Sequence, residues 1–328
     1  MHAIVIREPG GPEVLTPCEL PDPVPLFGHI CVNVRFAGVN RADLLQRAGF
    51  YPAPPGVPPD IPGLEYAGVV DAIGPGASRF AVGDRVFGLV AGGAYATELI
   101  VHEREAVRTP DALSDEEAAA VPEAFVTAYD ALVSQGRLAP GERVLIHAAG
   151  SGVGTAGIQI GRALGCFVIG TSRTADKLDR SRPLGLDVGI VPQGGLFASE
   201  VRRITDGAGV DVVLELVGGG YVPEDVEACA VRGRILVVGL TGGPLAELNL
   251  ANLLRRRVSI TGTVLRARPL EEKIQAAQLL ERHLCPWLQK RVVRPVIDRV
   301  FALDEAPAAH AYVAGNQSFG KVLLRAGA

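Results

Sequence analysis

One stretch, residues 143–164 (RVLIHAAGSGVGTAGIQIGRAL), limits the possible folds more than any other. Val144, Leu145 and Ile146 form a short apolar run between Gly141 and a glycine cluster, the pattern of a fully buried parallel strand. From Gly152 onward, Val153, Ile158, Ile160, Ala163 and Leu164 recur at helical intervals. Strand, tight turn and helix in that order aim backbone N–H groups and a positive helix dipole at one point, which suits a pyrophosphate. The residues of the turn, Ala149, Gly150, Ser151, Gly152, Val153 and Gly154, are mostly small enough to let a phosphate approach the backbone. A literal GxGxxG falls on Gly152, Gly154 and Gly157, inside the expected helix. The register that fits the strand end runs through Ala149, Ser151 and Gly154. Such a turn also arises for close packing alone, so its context decides.

The context is an alternation. Strands are expected at 167–170, 188–191, 210–216, 234–238 and 259–264, separated by helices at 176–184, 196–206, 223–230 and 251–256. Six strands alternating with helices form the doubly wound parallel pattern, with a ligand crevice at the carboxyl ends of the strands. Before this region the chain reads mostly as β, with short β-branched runs at 3–7, 30–36, 66–73, 85–89 and 97–101 and one short helix at 40–48. That pattern suits a partly closed barrel. Ser114 to Glu117 has the form of a capped helix start, and helix continues over 124–134. After it come a helix at 270–284, a strand at 294–297, a helix at 304–314 and a strand at 321–324. The expected division is 1–121, 122–266 and 267–328, with the last segment returning to the first.

Dinucleotide choice turns on the end of the second strand. An NAD site needs a carboxylate there for the ribose hydroxyl. This chain reads Gly170-Thr171-Ser172-Arg173, with Lys177 a helical turn later, and Asp176 lies already in the helix. Ser172, Arg173 and Lys177 suit a 2′-phosphate, so NADP(H) is the expected cofactor. The competing reading has both cations simply solvated.

Composition removes several classes of function. A net charge of −4 offers nothing for nucleic acid or an anionic membrane. No apolar run is long enough to span a bilayer, and the N-terminus lacks a signal-peptide layout. The cysteines Cys18, Cys31, Cys166, Cys229 and Cys285 are odd in number and scattered, which argues for reduced thiols in the cytoplasm. The six histidines show no metal-ligand spacing, so no metal site is expected.

Several motifs then coincide: GVNRADLLQRAGFY, PGLEYAGVV, IGPGASRFAVGDRV, VPEAFVTAYDAL, IHAAGSGVGTAGIQ and FGKVLL. In this order they resemble the zinc-independent, zeta-crystallin-like quinone oxidoreductases of the medium-chain dehydrogenase/reductase superfamily, most of all the tumour-suppressor-inducible branch. The resemblance implies a GroES-like barrel with a Rossmann domain inserted, NADP(H), and a quinone or electrophilic carbonyl substrate. It also implies a homodimer or tetramer built along the Rossmann edge strand, for which 259–264 is the candidate.

Where zinc-dependent relatives place a cysteine and a histidine on the metal, this chain has Asn40 and Leu64. Leu64 cannot ligate at all, and Asn40 is a poor zinc ligand. Asp43 and Glu65 persist nearby without making a site. By the same resemblance Asn40 and Tyr51 border nicotinamide and substrate, Tyr51 as a hydrogen-bond donor to quinone oxygen. Thr127 faces the cofactor unless it merely back-bonds to its own helix. Gly239, Leu240 and Thr241 follow the fifth strand, Val264 and Leu265 the sixth, and all lie along the nicotinamide half. Arg266 lines the quinone entrance, and Lys321 lies near the cleft. One departure is Pro192, where the family often has a tyrosine for the adenosine phosphate. Two other readings stay open: an enone or enoyl reductase, and an NADPH-binding protein with little turnover.

Overall fold

The computed structural model describes residues 1–327. Its contacts divide into two units: Met1–Val126 with the chain from Leu265 onward, and Thr127–Val264. The boundaries expected at 121/122 and 266/267 therefore stand at 126/127 and 264/265. Residues 122–126 go with the first unit because the Glu123 amide bonds Glu65 of that unit at 2.7 Å.

The first unit opens with β1 (His2–Ile6), paired antiparallel with β2 (Leu15–Glu19). Pro17 inside β2 hid that strand from a propensity reading. Then follow β3 (His29–Val39), α1 (Arg41–Arg47), β4 (Glu65–Ile73), β5 (Arg85–Leu89), β6 (Glu98–His102) and β7 (Ala106–Arg108). Next, α2 (Asp115–Ala119) starts with the expected reciprocal cap between Ser114 and Glu117. The expected helix at 124–134 is wound unevenly. Wide π turns at Pro122–Val126 and Asp130–Gln135 flank a single α turn, α3 (Thr127–Tyr129).

The second unit continues with β8 (Arg143–Ile146), α4 (Gly152–Ala163), β9 (Phe167–Thr171), α5 (Ala175–Ser181) and β10 (Val188–Ile190). It closes with α6 (Ala198–Ile204), β11 (Val210–Glu215), α7 (Tyr221–Ala228), β12 (Cys229–Val237), α8 (Leu250–Arg256) and β13 (Ser259–Gly262). The six strands lie in the order β10-β9-β8-β11-β12-β13, all parallel. Order reverses beside β8, the strand that leads into the glycine turn. The edge strand β13 ends at Gly262, two residues short of the expected 264, and all four of its residues are exposed.

The tail gives α9 (Leu270–Leu279), a π turn at Leu280–Leu284, α10 (Cys285–Gln289), β14 (Ile297–Ala302), α11 (Ala306–Ala314) and β15 (Lys321–Arg325). The strand expected at 294–297 lies instead at 297–302. Pro295 cannot donate to a ladder, whereas Ile297–Ala302 pairs in parallel with β15. β15 in turn pairs antiparallel with β3. On one edge β3 bonds β6 over His29–Asn33 and then β15 over Phe36–Val39, while β4 runs along its other edge. This change of partner curls the seven-stranded sheet into the GroES-like barrel. Each unit has its own apolar core, around Ile30, Val32, Tyr66 and Tyr95 in the first and Leu145, Ile169, Val213 and Phe197 in the second.

Candidate functional site

In the second unit the chain leaves β8 and turns sharply into α4. Ala148 takes a positive φ of 45°, and the Ala149 amide bonds the Thr171 carbonyl at 2.9 Å, tying the bend to the end of β9. Gly150 is buried at the bend. Ser151 caps the helix, its Oγ accepting from the Gly154 amide at 2.9 Å. A Cβ on Gly154 would overlap the Ala148 carbonyl, so the turn closes only over glycine. The amides of Gly152 and Val153 lie in the first turn, where no carbonyl one turn back can accept them. Twelve residues of helix add their dipole. This cradle fits a pyrophosphate.

At the end of β9, Ser172 is buried and its amide bonds the Ile190 carbonyl at 3.1 Å. Arg173 is exposed ahead of α5, and Lys177 is half-buried in its first turn. Pro192 follows β10. Beyond β12, the Gly239 amide bonds the Glu215 carbonyl at 3.3 Å, Thr241 bonds the Leu216 carbonyl, and Leu240 is exposed. Val264 is exposed beyond β13, and Thr127 is buried in α3.

Beneath this surface lies a cluster that sequence reading missed. His147, Glu215 and Asp225 are fully buried, and their ligand atoms fall within 4.8 Å of one another. His147 Nε2 lies 2.8 Å from Asp225 Oδ1, and its Nδ1 lies 2.8 Å from Thr171 Oγ1. Glu215 Oε1 accepts from the Val217 amide and, at 2.7 Å, from the Gly218 amide. Burial raises both carboxyls and lowers the imidazole. His147 stands far upstream of Glu215 and Asp225 in the sequence, so no short motif joins the three.

The first unit holds the other half of the expected residues. Asn40 caps α1, its amide donating to Asp43 Oδ2 at 2.7 Å. Its Nδ2 donates to Glu65 Oε1 at 2.9 Å, and its Oδ1 accepts from Lys321 Nζ at 2.5 Å. Lys321 also lies 2.5 Å from Glu65 Oε1, and neither side chain is appreciably exposed. Glu65 stands against the backbone of β3, where a Cβ on Gly38 would overlap its carboxylate. Asp43 accepts further bonds from Gly63 and Tyr95, whose hydroxyl also meets His310 Nε2 at 3.1 Å. Burial nevertheless pushes Asp43 up to about 6.

Arg266, expected at the quinone entrance, is buried. Its guanidinium donates to the Ala91 carbonyl at 2.7 Å, the Tyr51 carbonyl at 2.9 Å and Gln46 Oε1 at 2.6 Å. It also lies 5.1 Å from the centre of the Tyr51 ring, so it pins the loop that carries Tyr51. Burial raises the half-buried Tyr51 phenol. A cavity within this unit is lined by apolar side chains that include Leu64, Val126 and Leu265, with Glu123 and Arg266 among its polar groups. Glu123 is the second group that sequence reading passed over, being one acid in an otherwise apolar helical stretch. Burial and the charge of Glu65 push it up to about 8. Asn40, Leu64, Glu65 and Lys321 thus meet in the fold; Ser172, Arg173 and Lys177 gather separately in the second unit.

Residues 152–282 match the family model of zinc-binding dehydrogenases, and residues 27–111 match that of the alcohol dehydrogenase GroES-like domain. The quinone oxidoreductase of Homo sapiens is 30% identical over 329 residues, covering 99% of this chain and 97% of that protein. A polyketide synthase of Streptomyces halstedii is 35% identical over 301 residues, 90% of this chain but 5% of the synthase. The solved structure of the Escherichia coli quinone oxidoreductase complexed with NADPH matches with a TM-score of 0.89 at 28% identity. That match covers 99% of this chain and 100% of the other.

Proposed function

Because the chain belongs to the medium-chain dehydrogenase/reductase superfamily, with quinone oxidoreductases as full-length relatives, we propose that it reduces quinones with NADPH and without a catalytic metal. An NADPH-bound relative and the capped glycine turn both support the cofactor. On this reading the turn from Ala149 to Gly154 takes the pyrophosphate, while Ser172, Arg173 and Lys177 take the 2′-phosphate. Thr127, Gly239, Leu240, Thr241, Val264 and Leu265 serve the nicotinamide half. Asn40, Tyr51 and Lys321 supply hydrogen bonds around the acceptor, and Arg266 positions Tyr51.

One observation carries the metal-free reading. The Lys321 ammonium lies 2.5 Å from both Asn40 Oδ1 and Glu65 Oε1. The oxygens a dication would require are already held by a monocation, and Leu64 offers no donor. Such a site suits an acceptor that needs no Lewis acid. A quinone is electrophilic in its own right, and hydride transfer to it yields an aromatic product. The protein then chiefly aligns the reactants and excludes water.

The test is NADPH oxidation by the purified protein with a small quinone, with and without chelator, and with NADH in parallel. Rapid, chelator-resistant turnover is expected; loss of activity on chelation, restored by zinc, would overturn the metal-free reading. Replacing Arg173 and Lys177 by Ala should weaken NADPH at least tenfold more than NADH, a difference of about 1.4 kcal/mol. Equal losses would remove them from the 2′-phosphate site.

A second reading, an enone or enoyl reductase, is favoured by the polyketide synthase match at higher identity than the human relative. A double bond conjugated to a carbonyl accepts hydride in the same metal-free way. A tenfold preference for enones over quinones in kcat/KM would select it. We further propose a homodimer along β13, whose exposed edge would otherwise invite uncontrolled pairing. Sedimentation of Ile260→Lys against wild type checks this.

A further inference from the structure

We infer that Glu123 is the proton donor of the reduction, giving its carboxyl proton to the acceptor oxygen as hydride arrives. This rests on the reductase reading and adds the acid that reading lacked. Four observations carry it, all within the first unit.

Glu123 lines the cavity together with Leu64, Val126, Leu265 and Arg266. Its backbone is fixed, since its amide donates to Glu65 Oε2 at 2.7 Å, and that carboxylate is itself held by Lys321 and Asn40. Its own carboxyl, by contrast, is governed by burial and by neighbouring charges. A general acid must keep its proton until the acceptor comes within hydrogen-bond reach. The charges around it then set its protonation. Glu65 from β4 and Asp43 from α1 oppose ionisation, while Lys321 from β15 and Arg266 favour it. Glu105, Arg268 and Lys273 stand elsewhere on the cavity wall. Burial and the nearer carboxylates prevail, pushing Glu123 up to about 8, so it carries its proton at neutral pH.

The step balances without further reagents. The acceptor gains a hydride with its electron pair from the dihydronicotinamide, and the resulting negative charge settles on the acceptor oxygen. The Glu123 O–H bond breaks and an O–H bond forms on the acceptor, leaving the neutral hydroquinone and a Glu123 carboxylate. Solvent returns the proton. Tyr51, whose ring lies 5.1 Å from the Arg266 guanidinium, stays a hydrogen-bond donor and keeps its own proton, because burial raises its phenol.

Glu123→Gln keeps the shape and removes the acid. It should lower kcat about a hundredfold, at the lower end of general-acid contributions. Wild-type kcat should fall as pH rises through about 8, and the substitution should abolish that fall. Glu123→Asp should recover part of the rate and restore that limb. NADPH affinity should stay within twofold, since the residues assigned to its phosphates lie in the other unit. A readout independent of turnover is infrared titration of the protein alone. The wild-type minus Glu123→Gln difference should show one protonated carboxyl that disappears between pH 7 and 9. A kcat within twofold of wild type with the same pH limb, or no such band, overturns the proposal. If wild type turns over neither quinones nor enones, the reductase reading fails first and the proton donor falls with it.

Discussion

Each unit buries a polar cluster near the ends of its strands, and the two are satisfied by opposite means. In the first, Glu65 is fully buried, with Lys321 and Asn40 both pointing at one oxygen and the Glu123 amide at the other. In the second, Glu215 and Asp225 share the space around His147 with no lysine or arginine bonded to either. Glu215 Oε2 and Asp225 Oδ2 lack partners unless a proton lies on one of them. The first cluster therefore compensates charge with charge, and the second does so with protons. Buried charge is tolerable only when paired, whereas neutralised acids need only hydrogen bonds. The difference fits their surroundings: one cluster adjoins a cavity, while the other is sealed beneath the phosphate turn.

The largest effect should come from breaking the charged pair. Lys321→Met leaves Glu65 buried without its cation and should cost about 3–5 kcal/mol in urea unfolding. Adding Glu65→Gln should restore much of that loss, since no uncompensated charge then remains. If the single and double variants unfold at the same urea concentration, the pair is not what stabilises this cluster.

Next in size is the pH dependence of the second cluster. Free carboxyls titrate near 4, but burial raises both Glu215 and Asp225. Above pH 4 the folded chain thus holds protons that the unfolded chain has lost, and stability falls as pH rises toward the folded values. His147 acts with the opposite sign. Its pKa is lowered, so below about 6.5 the unfolded state binds a proton the fold refuses, and stability rises with pH there. The two slopes oppose one another below pH 6.5, and above it the carboxyls alone act. Each retained proton contributes at most about 1.4 kcal/mol per pH unit. Chemical denaturation from pH 6.5 to 8 should show this decline, and Asp225→Asn should flatten it. Stability independent of pH in that interval would mean the cluster is ionised after all.

The same contrast explains what could be read from the chain and what could not. The phosphate turn was legible because its residues are adjacent: Ser151, Gly152 and Gly154 signal strand end, cap and helix within one window. Asn40 and Leu64 were legible only through the family resemblance, which marks what a metal site lacks. The bonds within each cluster could not be read, because each is assembled by topology. His147, Glu215 and Asp225 meet only once β8 and β11 are neighbours in a parallel sheet. Glu123 is one acid in an apolar helical run, and only the fold puts it on a cavity wall with its amide bonded to Glu65. The bonds that Arg266 makes were hidden for a related reason. A cation near a quinone entrance reads as a ligand group, whereas three protein oxygens already occupy it. The shift of β14 from 294–297 to 297–302 is the same lesson in backbone form, since its partner strand lies past an intervening helix.

The smallest effect tests the second cluster at a single hydroxyl. If the imidazole is neutral, one ring nitrogen donates and the other accepts. With the Asp225 proton on Oδ2, Oδ1 accepts from Nε2–H at 2.8 Å. Nδ1 must then accept from the Thr171 hydroxyl at 2.8 Å. Thr171→Val preserves shape but leaves Nδ1 buried and unbonded, which should cost about 1–2 kcal/mol. Thr171→Ser keeps the hydroxyl and should lose less. Nitrogen NMR of His147 should show the Nε2–H tautomer from pH 6 to 8. A doubly protonated ring would instead make this cluster a charged pair, the same solution as Lys321 and Glu65, and the contrast between the two units would collapse.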